Sequence, residues 1–192
     1  MKKLKIMFGI IFLMVAIILL PAQQYDAESD FTFMRSSDGN SVTITGYVGS
    51  KQTVSIPTYI RELPVTIIGN NAFLNKNIIN ITIPNSIIHI GNAAFRNNQI
   101  ISLVIPDSVT TIEMWAFGNN QLSNVTIPNS VRTIYRFAFV NNPLINIVIG
   151  NNVRLGDSSG RAFTREFDNF YRENQGRSGT YINRNGSWSE DW

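Results

Sequence analysis

The 192-residue chain contains no cysteine and a single histidine, and charged residues make up only 15 % of it. Without cysteine there is no disulfide brace, no thiol nucleophile and no lipid-attached N-terminal cysteine. The histidine, His89, lies between Ile88 and Ile90 and has no partner of its kind, so it reads as a lone exposed imidazole. No Gly-Lys-Ser/Thr phosphate loop and no metal-spaced cluster occurs, and Asp157-Ser158-Ser159-Gly160 is a loop word with no motif around it. A catalytic site needs a placed nucleophile, base or metal. The sequence presents none, which leaves a non-catalytic chain with no cofactor and no metal.

Acid is missing from residues 1–22, where Lys2, Lys3 and Lys5 fall. The pI near 9.3 therefore misleads. Without those lysines, 13 basic residues balance 13 acidic ones, and no field steers the remainder towards nucleic acid. The basic start, the apolar run Ile6–Leu20 and the break Leu20-Pro21-Ala22 form the pattern of a secretory signal, cleaved after Ala22 or Ala27. The run is short of the roughly 20 apolar residues of a spanning helix. The expectation is an exported protein with no membrane insertion once the signal is gone. It would be extracellular, at the cell surface or periplasmic.

What the chain does have is 44 % hydrophobic residues and a fixed period. Ala72-Phe73 returns as Ala94-Phe95, Ala116-Phe117 and Ala138-Phe139, each 22 residues on. Ile83-Pro84, Ile105-Pro106 and Ile127-Pro128 keep the same step, and Ile149 holds the register although Gly150 replaces proline. A period of this size marks a solenoid. Each repeat carries one inward set, such as Ile100, Leu103, Ile105, Val109, Ile112 and Phe117. The spacing places the middle residues on one face of a short strand that proline then ends. Pro57 to Pro84 is five residues too long, which predicts a protruding turn near Arg61-Glu62-Leu63-Pro64. Asn75, Asn97, Asn119 and Asn141 also recur, and are expected to satisfy open backbone groups at the coil corners.

The ends differ from the repeats. Residues 23–30 form a polar leader, and 31–50 a capping hairpin turning at Ser36–Asn40. Repeats occupy 51–165, and residues 166–192 form a C-terminal cap. Phe163, Phe167, Phe170 and Tyr171 fall at helical spacing, and Asn185-Gly186 predicts a hairpin turn within Thr180–Trp192.

The recurring word Val/Leu-x-Ile-Pro-x-Ser-Val-x-x-Ile-Gly-x-x-Ala-Phe-x-x-Asn resembles the BspA-like, treponemal-type leucine-rich repeat family. Glu113 and Tyr135 depart from it where the family has glycine. The resemblance implies a leucine-rich repeat solenoid of short parallel β-strands with an irregular or 3-10 convex side, capped at both ends. It also implies adhesion to host matrix proteins or other cells.

Two surfaces are candidates for binding a protein ligand. Residues alternating with the buried ones point out on the concave strand face: Ser55, Asn80, Thr82, Ser102, Val104, Asn124, Thr126, Asn146 and Val148. This row is small, uncharged and partly apolar, and suits a flat partner surface. The second surface is Trp115, Tyr135 and Phe137, with Met114 and Arg136 beside them, unless these residues serve packing between coils. Two further readings stay open: a cell-envelope scaffold binding bacterial partners, and a carbohydrate-binding module using Tyr181, Trp188 and Trp192.

Overall fold

The structure, a computed structural model, describes residues 25–156 and 160–191. The signal-like segment, most of the Asp157–Gly160 loop word and Trp192 lie outside the described residues. The chain winds through about five coils of a β-solenoid, mostly parallel strands, with one α-helix and a short 3-10 turn at Glu28–Asp30 among the described residues. A capping hairpin comes first: β1 (Phe31–Arg35) pairs antiparallel with β2 (Val42–Tyr47). The first coil holds β3 (Thr53–Ser55), β4 (Tyr59–Ile60) and β5 (Leu63–Ile68). Then come β6 (Asn80–Thr82) and β7 (His89–Ile90), β8 (Thr111–Ile112), β9 (Asn124–Ile127) and β10 (Thr133–Ile134), and β11 (Asn146–Ile149) and β12 (Arg154–Leu155). The chain closes with α1 (Arg165–Glu173), β13 (Gly179–Arg184) and β14 (Ser187–Asp191).

Each coil contributes to two ladders. The first, in the Val/Ile-x-Ile-Pro/Gly word, joins β3 to β6 and β9 to β11. The third coil enters it through a single bridge, Asn80–Ser102. The second ladder runs β2–β5–β7–β8–β10–β12. The caps use different ladders. The N-terminal hairpin extends the second through β2, whereas β13 lies antiparallel on β11 and, with β14, extends the first. The extra residues of the first coil form a two-residue hairpin between β4 and β5, with Arg61 and Glu62 both at positive φ. It packs instead of standing free, since the Arg61 guanidinium lies 5.2 Å from the centre of the Phe33 ring.

The core is a set of rows. Phe73, Phe95, Phe117, Phe139 and Phe163 are fully buried, and successive rings stack at 4.9, 5.2, 5.3 and 4.8 Å. The spacing matches the roughly 4.8 Å separation of adjacent strands, so one backbone pitch also sets ring contact. Tyr47 stacks on the first ring, and Phe167 meets the last edge-on. On this convex side the backbone is built from turns, and coils bond one another directly. The amides of Phe73, Phe95, Phe117 and Phe139 donate to the carbonyls of Ala94, Ala116, Ala138 and Ala162. Phe163 has no further coil to donate to. The buried Asp168 of α1 takes that place, its carboxyl accepting from Phe163 N at 3.1 Å and Ala162 N at 2.6 Å.

The asparagine reading needs correction by one position. Asn75, Asn97, Asn119 and Asn141 all have positive φ, and the amides of the last three bond to one another near the surface, Asn119 to Asn97 and Asn141 to Asn119. The residues that reach inward are the next ones. Asn120 accepts from Ile100 N and donates to the carbonyls of Phe95 and Phe117, and Asn98 and Asn142 repeat the arrangement. The left-handed residue turns the chain, and this aims the following side chain between the coils.

Candidate functional site

The first ladder aims its alternate residues outward because the buried ones are anchored in the core rows. Asn80, Thr82, Ser102, Asn124 and Thr126 are exposed, as is Val104 at 77 %. Ser55, Asn146 and Val148 are half-buried. For the last two the cause is β13, which sets Ile182 opposite Asn146 and Thr180 opposite Val148. At the other end Asp26 closes the edge of β3, its amide and carboxylate bonding the backbone of Ser55. The nine predicted residues thus share one surface, and β13 adds to it residues that the repeat pattern does not announce.

Where the strands end, this surface deepens into a groove of about 1000 Å³. Val104, Thr126, Val148 and Thr180 line it along one side. Pro106, Pro128 and Gly150 line the other, and Ser178 and Gly179 stand at its C-terminal end. The residues after Pro84, Pro106, Pro128 and Gly150 form a further row, Asn85, Asp107, Asn129 and Asn151. The Asn129 carboxamide lies over Gly150, where a Cβ would come within 2.6 Å of its oxygen. Asn151 accepts from Ser178 N, which fastens the C-terminal cap to the last coil. Asp107, Asn129 and Arg132 escaped the sequence reading, which followed only the strand residues. For Asp107 and Asn129 the signal was the slot after proline, filled by Asn or Asp in the second, third and fourth coils.

The second predicted surface is brought together as a packing feature. Trp115 and Phe137 contact at 4.9 Å between ring centres, and the Arg96 guanidinium lies 4.2 Å from the centre of Trp115. Trp115 rests on Gly118, where a Cβ would meet its ring at 2.7 Å. Both aromatics are only partly exposed and hold positive φ, a conformation costly for bulky side chains. Tyr135 remains at the surface at 37 % exposure. Tyr181 and Trp188 are buried against Phe167 within the cap, so neither ring presents a face to a sugar. Among the described residues no group of three or more acidic or histidine side chains could hold a metal ion, and no helix is long and apolar enough to cross a membrane.

A profile of the BspA type leucine rich repeat region matches residues 51–166 with six copies. This chain belongs to that family. Among solved structures it is similar to a leucine-rich repeat protein from Bacteroides capillosus, at 32 % identity over 53 % of this chain and 80 % of that one, with a TM-score of 0.49. It is also similar to the T. pallidum leucine rich repeat protein, at 19 % identity over 69 % and 86 % of the two chains, with a TM-score of 0.50. That second likeness speaks to the fold alone. A search of curated proteins finds no match.

Proposed function

We propose that this BspA-type leucine-rich repeat protein is exported and acts as a non-catalytic adhesion module, binding host matrix proteins or the surface proteins of other cells through its strand face. The observation that carries the reading is the face itself. It is a continuous row of small, uncharged residues crossing every coil, with Val104 the most exposed large apolar residue of the described chain. A protein surface can cover such a row without desolvating a charge. The leucine-rich repeat family, whose members generally serve protein interaction, supports the class of partner. Export rests on the basic start and the apolar run that follows it.

The test is equilibrium binding of the purified protein to immobilised matrix proteins at physiological salt, with a Val104→Asp/Thr126→Arg variant alongside. Both positions are exposed, so the variant keeps its core. Saturable binding that the variant loses supports the reading. Binding that the folded variant retains contradicts it.

A further inference from the structure

The groove at the strand ends has a polarity that the rest of the strand face lacks. In the row after the prolines and Gly150, the second, fourth and fifth coils place neutral Asn85, Asn129 and Asn151. The third coil places Asp107 there, and Arg132 of the fourth coil lines the same groove. Both are exposed. The ion pairs of the described residues are Lys51–Asp26, His89–Glu113 and Arg184–Asp191, so among the described residues neither Asp107 nor Arg132 has an ionic partner, in each other or in a third residue. One unpaired negative and one unpaired positive charge therefore stand on adjacent coils beside an aliphatic and hydroxyl floor. Two opposite charges that line one groove without closing on each other form a receptor for the complementary pair.

We propose that this groove takes an extended segment of the partner protein, one that presents a basic residue to Asp107 and an acidic residue to Arg132 and lays small aliphatic side chains on Val104 and Val148. The proposal rests on the strand-face reading above and gives the partner its chemistry and direction. Adjacent coils rise by about 4.8 Å, and Arg132 stands three residues beyond Asn129, the counterpart of Asp107 on its coil, so the two charges are offset both along and across the groove. The two charges of the ligand therefore belong a few positions apart, with the basic one towards the N-terminal end of the solenoid. Ser178 and Gly179 end the groove beyond the fifth coil, so the segment passes out over the earlier coils.

The experiment uses the full protein as bait for a phage library of random linear peptides. The proposal expects enrichment of peptides with a basic and an acidic residue a few positions apart beside small aliphatics. Their affinity should fall about fivefold to tenfold on Asp107→Lys or Arg132→Glu alone. The double variant Asp107→Lys/Arg132→Glu should select peptides with the two charges exchanged, and melting temperatures confirm that each variant is folded. Enriched peptides without the charge pair overturn the proposal, as do peptides that bind the double variant unchanged. A library yielding no peptide sensitive to Val104→Asp overturns it too, yet leaves the strand-face reading standing if an intact matrix protein still binds through Val104. Saccharides that bind the groove and are lost on Val104→Asp would replace the peptide with a glycan.

Discussion

Asn120 is 2 % exposed and bonds to backbone groups of two coils at once. Replacing it with alanine leaves the Ile100 amide unpaired and opens a void, while the carbonyls of Phe95 and Phe117 each keep one bond, from Asn98 and Asn142. At about 1–3 kcal/mol for the stranded amide, the loss should be about 2 kcal/mol. Urea melts of the Asn120→Ala variant test this, with Asn119→Ala as the half-buried counterpart, whose carboxamide bonds only to neighbouring asparagine side chains, expected to lose less than about 1 kcal/mol. Asp168 is the second decisive residue. Burial pushes its carboxyl up to about 6, against the opposing pull of two backbone amides and of Arg172 and Arg161. A carboxyl with a raised native pKa favours folding when protonated. Its contribution is fully present below about pH 4, where the unfolded chain also holds the proton, and is lost as pH rises through about 6. At 1.36 kcal/mol per unit the change is about 3 kcal/mol, so stability should fall between pH 4 and 6 by that amount. The same titration on Asp168→Asn should remove that slope.

At the scale of the element, the β4–β5 hairpin is the clearest departure from the period. Two-residue turns with both φ angles positive favour Asn-Gly, and here Arg61 and Glu62 hold that geometry with φ of 50° and 65°. Glu62→Gly should therefore raise stability by about 1 kcal/mol, read as a higher melting temperature, while Arg61 keeps its place over Phe33. This turn was legible because five additional residues cannot enter a strand ladder. The isoleucine and phenylalanine rows were legible for a similar reason, since inward positions repeat wherever a core must be continuous. Two things were not. Asn97-Asn98, Asn119-Asn120 and Asn141-Asn142 are paired in sequence, and the period does not say which member points inward. Asn75 extends the first series while Lys76 breaks the second, so counting favours the series that proves to be at the surface. The antiparallel docking of β13 on β11 was also hidden, because the two segments share no period and lie on either side of a helix.

Across the whole molecule, one aromatic row runs from Tyr47 through five stacked phenylalanines to Phe167, and the caps close it from the two different ladders. The caps divide the surface. The N-terminal hairpin leaves the strand face uncovered except for Asp26 at the edge, while β13 lengthens that face and ends its groove. Opposite it, Trp115 and Phe137 are spent on contacts between coils. The account therefore places binding on the strands and packing on the turns. The most direct measurement compares matched variants of the two sides against one matrix protein that binds saturably. Val104→Asp/Thr126→Arg should weaken binding at least tenfold with an unchanged melting temperature. Trp115→Ala should lower the melting temperature and leave the affinity of the folded protein within about twofold. The reverse pattern, affinity lost with Trp115 and kept with the strand-face variant, would contradict the account.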